Sequence, residues 1–313
     1  MTTPRRSDRL GIHSIGEFSL RVPDLATAHR FYTRFGLDVA EGPSGEWLLR
    51  TQGSPYVWGR LREGGDKRFE SLTWHCFEED LAPLQARVRA AGVPLIEPPP
   101  GADAAGFWFR NPEGVAWQVR VGPKTTLDAA QHASPPLPVD GVRCAPYRRL
   151  TAPVRPRRLS HIAFVSGCLP AQVDFCLQLL GLRLSDRSGD GVAFLHAPHG
   201  GDHHLVAFAA GPGAALHHLS WDVPTVEDVG LGWMQMQAAG YTEGWGVGRH
   251  VLGSNYFYYA RDPWGSFCEY SATMDYIPAA FDWEGLDHPP EDGLYLWGPP
   301  LPPVFLVAPE PAA

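Results

Sequence analysis

The sequence predicts an α+β protein of two tandem modules, each of two βαβββ units forming a curved, partly closed sheet around a cleft. Three recurring pairs of segments predict it, because self-similarity at a fixed spacing marks an internal duplication. Residues 15–40 (IGEFSLRVPDLATAHRFYTRFGLDVA) and 159–184 (LSHIAFVSGCLPAQVDFCLQLLGLRL) each give an alternating apolar stretch, a turn, a helix and a Gly-Leu stop. Residues 70–95 match 217–242, with Trp74 against Trp221 and a shared Ala-Ala-Gly helix ending. Residues 107–119 (FWFRNPEGVAWQV) match 258–270 (YYARDPWGSFCEY), each a strand, a turn and a strand.

The elements follow in order. In the first helix Leu25, Ala28, Phe31, Tyr32 and Phe35 share a face; in its counterpart Val173, Cys176, Leu177 and Leu180 do. Gly36 and Gly181 stand where a helix end requires a left-handed residue. Asn111 and Asp262 cap the Arg-Asn-Pro-Glu-Gly and Arg-Asp-Pro-Trp-Gly turns. The first module covers 1–122, and a linker with Pro135, Pro136, Pro138, Pro153 and Pro156 covers 123–157. The second module covers 158–275. A Pro-rich tail with Phe281, Trp283, Tyr295 and Trp297 covers 276–313 and is expected to lie, ordered, over the second module.

Composition narrows the class. Of 313 residues 44% are hydrophobic and 19% charged, which suits a soluble globular protein. The net charge of −8 and the lack of a Lys/Arg-rich stripe exclude a nucleic-acid partner, since phosphate binding needs concentrated positive charge. No run approaches the roughly 20 apolar residues of a membrane span, and nothing apolar follows MTTPRRSDRL to make a secretory signal. Five cysteines without a C-x-x-C pair point to reduced thiols and a cytoplasmic location.

The duplication also locates the chemistry. His161, His218 and Glu269 fall on strands whose first-module counterparts carry Glu17, Ser71 and Gln118. Only the second module has two imidazoles and one carboxylate at equivalent positions. A single histidine is more often a surface or core residue than a ligand. A strand-borne buried Glu, however, is costly unless it is paired or bound to a metal. Two His and one carboxylate leave positions open on Fe(II) or Mn(II) for substrate and O₂, whereas a structural zinc site would be closed by four ligands.

Three segments carry a family resemblance: LSHIAF, the pair HHLVAF and LHHLSWDV, and GRHVLGSNYFYYARDPWGSFCEY. Together they resemble the extradiol ring-cleaving dioxygenases of the vicinal oxygen chelate superfamily, over nearly the whole chain and including a metal-free first module. The resemblance implies cleavage of a catechol-type ring by O₂ at a mononuclear Fe(II), with Mn(II) as the other candidate, and a homo-oligomer. It implies His204 as the acid–base group, and His250 and Tyr259 as hydrogen-bonding partners of the substrate hydroxyls. Alternation along the strand leaves His203 and His204 both open. The chemistry needs such a group, because a catechol loses protons on chelation and a proton must return when the O–O bond breaks.

His217, next to a ligand, is expected to point to the opposite face as a structural residue, while His75, His196 and His199 have no assigned partner. Leu252 and Ala207 suggest an apolar pocket wall, and Pro289 and Pro290 its closure. Two alternatives are a glyoxalase-like enzyme, which needs a fourth ligand, and a non-catalytic small-molecule-binding protein, which would lack the triad.

Overall fold

A computed structural model describes residues 5–130 and 139–307; Pro135, Pro136 and Pro138 of the linker lie outside the described residues. The first half runs β1 (Ser14–Val22), α1 (Leu25–Arg34), β2 (Asp38–Glu41), β3 (Trp47–Arg50), β4 (Gly59–Glu63), β5 (Arg68–Cys76), α2 (Glu78–Ala90), β6 (Leu95–Ile96), β7 (Phe107–Arg110) and β8 (Ala116–Val121). These strands make one sheet in the order β2-β3-β4-β1-β5-β8-β7-β6. The second half runs β9 (Arg158–Ser166), α3 (Leu169–Phe175), β10 (Arg183–Ser188), β11 (Val192–His196), β12 (Gly201–Asp202), β13 (Val206–Ala210), β14 (Ala215–Asp222), α4 (Val226–Ala238), β15 (Gly244–His250), β16 (Tyr256–Arg261) and β17 (Phe267–Ala272). Its strands repeat the order as β10-β11-β13-β9-β14-β17-β16-β15.

The tail adds β18 (Tyr276–Ile277), β19 (Leu286–Asp287) and β20 (Tyr295–Trp297). It does more than lie over the second half, because β19 and β20 extend that sheet at its two edges and β18 pairs with β12. Short added strands of this kind cover backbone groups that an open edge would leave unpaired.

Within each half the two βαβββ units meet along an antiparallel pair, β1 with β5 and β9 with β14. Parallel pairs flank it: β4 with β1 and β8 with β5, then β13 with β9 and β17 with β14. Register shifts interrupt both central pairs, near Ile15/Phe18 and near Leu216/His218. Such bulges bend and twist a sheet, and here they accompany its curvature into a trough.

The local chemistry explains the helices. Asp24 accepts from the Ala26 N–H at the start of α1, and Thr225 with Asp228 forms a capping box on α4. Helix α3 continues as a wider π turn over Cys176–Leu180 and stops at Gly181, whose φ is +70°. A Cβ at Gly181 would lie 2.1 Å from the Leu10 carbonyl oxygen, so both the left-handed turn and the close packing require glycine.

The halves share one core. Phe35 stacks on Tyr270 with ring centroids 4.0 Å apart, and the Tyr270 hydroxyl donates to the Phe35 carbonyl at 2.7 Å. Polar clamps cross the same boundary. Glu113 accepts from Gly167 N–H and Gln172 Nε2, and the buried Lys67 ammonium lies 2.9 Å from Asp262 Oδ2. Asp262 also accepts from the Trp264 and Ser266 amides, so it caps its turn as Asn111 does in the first half.

Candidate metal centre

The concave face of the second sheet gathers the residues singled out by the internal comparison. In register, Ser220 of β14 stands opposite His161 of β9 on one side and Glu269 of β17 on the other, with His218 two residues back along β14. The ligand atoms of His161, His218 and Glu269 all lie within 4.8 Å of one another. The two Nε2 atoms are 3.1 Å apart, and Glu269 Oε2 lies 3.3 Å from His161 Nε2 and 3.7 Å from His218 Nε2.

The surrounding hydrogen bonds aim these atoms. His217 Nε2 lies 2.6 Å from the Phe305 carbonyl oxygen, which can only accept, so the hydrogen is on Nε2 and His217 Nδ1 is bare. His218 Nδ1, 2.7 Å from that bare nitrogen, is therefore the donor, and His218 Nε2 keeps its lone pair for a ligand bond. His161 Nδ1 donates to Ser160 Oγ at 3.3 Å, and the serine hydroxyl donates on to Asp202 Oδ2. His161 Nε2 is left bare in the same way. Metal-ligating imidazoles characteristically carry such a partner on the far nitrogen.

Electrostatics agree. Burial, reinforced by the neighbouring imidazoles, pushes His218 and His204 well below the ordinary histidine range and keeps them neutral. Burial by itself would raise Glu269, but the close His161 and His250 imidazoles, with Ser220, hold it below its usual value. Glu269 is fully buried, and its Oε2 has no hydrogen-bond partner among the described residues. A buried ionised oxygen facing two bare imidazole nitrogens is the donor set a divalent cation takes, so the residues fit a metal ion.

A cavity of about 650 Å³ opens above this point. His204, His250 and Tyr259 line it, as do Leu252, Ala207 and Pro290, while Pro289 is not part of the wall. His203 is fully buried and stands behind His204, with the two Nδ1 atoms 3.1 Å apart. His250 Nδ1 donates to the Leu294 carbonyl at 2.6 Å, leaving Nε2 to accept from the Tyr259 hydroxyl at 2.9 Å. Among the described residues, no lysine or arginine lines the cavity.

One expectation is corrected. His217 does not point to the opposite face: it lines the same cavity as His218, because the register shift between Leu216 and His218 breaks the alternation of the strand. The histidines left without partners also find them. His196 Nδ1 is 2.8 Å from Ser185 Oγ, His199 Nδ1 accepts from the Arg6 amide, and His75 bonds the Pro123 carbonyl.

Sequence reading missed Asn255, whose Nδ2 donates to Glu269 Oε1 at 3.1 Å and to Ser271 Oγ at 2.9 Å. Within Gly-Ser-Asn-Tyr it reads as an ordinary turn residue. It also missed the Leu294 and Phe305 carbonyls, which no side-chain pattern can reveal. The doubled histidines 203–204 and 217–218 were a usable signal, since each pair sets one ring behind another.

In the first half the equivalent Glu17 and Gln118 are taken up by neighbouring residues. Arg60 pairs with Glu17 at 2.7 Å and with Glu46 at 2.9 Å. Gln118 accepts from Thr73 Oγ1 and donates to the Ala105 carbonyl. No metal-type cluster forms there among the described residues.

Comparisons with known proteins point the same way. Residues 14–119 and 158–270 match the model of the Glyoxalase/Bleomycin resistance protein/Dioxygenase superfamily. Metapyrocatechase 2 of Cupriavidus necator is 47% identical over 303 residues, covering 97% of this chain and 94% of that protein. Among solved structures, homoprotocatechuate 2,3-dioxygenase from Arthrobacter globiformis superposes with a TM-score of 0.76 at 19% identity, covering 97% and 94% of the two chains. The Mn(II)-bound glyoxalase from Novosphingobium aromaticivorans superposes with a TM-score of 0.72 at 25% identity, covering 92% of each.

Proposed function

Because the chain belongs to the Glyoxalase/Bleomycin resistance protein/Dioxygenase superfamily and is an extradiol ring-cleavage dioxygenase, we propose that His161, His218 and Glu269 hold its metal as Fe(II). The enzyme opens catechols by meta cleavage with O₂, in the breakdown of aromatic compounds. The observation that carries the site assignment is the convergence of two bare Nε2 atoms and the unpartnered Glu269 Oε2 on one point of the cavity floor. Mn(II) suits the same donors.

When held by His161, His218 and Glu269, the ion would supply Lewis acidity toward the catechol oxygens and a one-electron couple for O₂. The chain's own residues do the rest. His204, neutral and on the cavity wall, takes a proton from the catechol and later returns one to oxygen. The Tyr259 hydroxyl and His250 form a coupled pair beside Glu269, placed to hydrogen-bond a substrate oxygen. Leu252, Ala207 and Phe305 give walls that exclude water from the ring.

The test is oxygen uptake after anaerobic Fe(II) reconstitution, with the yellow ring-fission product followed by absorbance. Replacing His161, His218 or Glu269 by Ala is expected to remove both bound iron and uptake. Full iron occupancy and activity in any of the three would sink the assignment. The five free cysteines support a reducing, cytoplasmic compartment. The family resemblance supports a homo-oligomer, which light scattering on the purified chain would check.

A further inference from the structure

We infer that His203 and Asp186 form a positioning relay that fixes which nitrogen of His204 carries hydrogen and so leaves His204 Nε2 bare. The inference rests on the reading of His204 as the acid–base group, but its geometry is independent of the metal.

The chain of contacts begins at Asp186, on the sheet beside the tail. Its Oδ1 accepts from the Leu286 amide at 3.1 Å and from His288 Nε2 at 2.8 Å, while its Oδ2 lies 2.8 Å from His203 Nε2. Asp186 is buried, and although burial works to raise its pKa, the His203 and His288 hydrogen bonds hold it below the usual carboxylate range. An ionised carboxylate can only accept, so His203 must place its hydrogen on Nε2. With its ring hydrogen on Nε2 facing Asp186, His203 presents Nδ1 as the acceptor. The hydrogen in the 3.1 Å Nδ1···Nδ1 contact consequently belongs to His204, and His204 Nε2 keeps a lone pair.

Packing locks the arrangement. The His203 amide donates to the Asp275 carbonyl at 2.7 Å, and Trp283 meets the His203 ring edge-on with centroids 5.5 Å apart. Gly253 closes over the paired nitrogens, where a Cβ would lie 3.3 Å from His203 Nδ1. The same logic operates at His217–His218, where a backbone carbonyl takes the part of Asp186.

Asp186→Asn discriminates this from a packing role. The Leu286 amide keeps an oxygen at the Oδ1 position, so the new amide group turns toward His203 Nε2 as a donor. His203 must then carry its hydrogen on Nδ1 and donate to His204 Nδ1, which moves the His204 hydrogen to Nε2. A general base contributes about 10²–10⁴ in rate, so kcat/KM for catechol is expected to fall about 100-fold, but under about threefold for 4-nitrocatechol, which is already ionised near neutral pH. KM and iron occupancy should barely move. Equal losses on both substrates would overturn the relay.

A second measurement reads the tautomer without activity. Neutron diffraction of the zinc-loaded wild-type protein is expected to show deuterium on His204 Nδ1 and on His203 Nε2. Deuterium on His204 Nε2 alone would refute the inference even if Asp186→Asn fails to fold. If the neutron result holds and the wild type takes up no oxygen with any catechol, the relay stands and the proposed function falls.

Discussion

Asn255 offers a sharp test of the metal centre, because it touches a proposed ligand and would not itself bind the ion. Its Nδ2 donates to Glu269 Oε1 at 3.1 Å and to Ser271 Oγ at 2.9 Å, and the residue is 1% exposed. Asn255→Ala removes both bonds but spares the backbone contact from His250 N–H to the residue-255 carbonyl. A hydrogen bond to a charged group is worth about 1.5–3 kcal/mol, and loss of an outer partner of a ligand weakens metal binding about 10–100-fold. At about 1.4 kcal/mol per tenfold, the second figure corresponds to about 1.4–2.8 kcal/mol, so the two routes agree. The assay is anaerobic titration of stripped protein with Fe(II) against a chromogenic chelator. The expected result is a Kd raised about 10–100-fold, with a metal-free protein that still unfolds cooperatively but melts lower, because Glu269 Oε1 loses a buried donor. A Kd within about threefold of the wild type in a folded variant would show that Glu269 is not held by Asn255 for metal binding.

Further predictions concern stability and substrate choice. Lys67→Met strips the cation from buried Asp262 and is expected to cost about 3–5 kcal/mol in urea unfolding; a loss under about 1 kcal/mol would mean the clamp contributes nothing net. Burial above all depresses His13 and His196 to about 3 and His75 to about 4. The unfolded chain, titrating near the ordinary value of about 6.5, then binds more protons than the folded one between that pH and about 4. Stability should therefore fall on acidification through this window, by up to about 1.4 kcal/mol per pH unit for each of these histidines. An unfolding free energy that is flat or rising from pH 7 to pH 5 would contradict those buried neutral rings. With no lysine or arginine on its wall among the described residues, the cavity should prefer 4-methylcatechol over 3,4-dihydroxyphenylacetate, by about 100-fold in kcat/KM, because a buried carboxylate without a partner is expensive. Comparable values for the two would show that the carboxylate reaches solvent or a cation.

Much of this was legible because duplication leaves a periodic trace. Helix faces such as Ala28–Phe31–Tyr32, the Gly36 and Gly181 stops and the Asp262 turn are written in local spacing, and the structure keeps them. The triad was legible for a different reason: the first module served as a control, with Glu17, Ser71 and Gln118 at the matching positions. What escaped depends on contacts distant in sequence. The orientation of His217 turns on a bulge, which shifts a period-2 pattern without leaving a residue-level mark. Asp186 meets His203 only because β10 and the segment after β12 fold together, and nothing near Asp186 in sequence announces it.

The placement of Leu294 and Phe305 has a consequence for the order of synthesis. Translation delivers His161 and His218 long before the two carbonyls that set the hydrogens of His250 and His217. A chain paused short of residue 294 would present both imidazole ligands on an incomplete floor, with His217 free to adopt either tautomer and His218 free to turn its lone pair away. On the proposed site, the partners that orient two of the cavity's imidazoles are therefore the last part of the floor to be made, so the tail finishes what the second sheet begins.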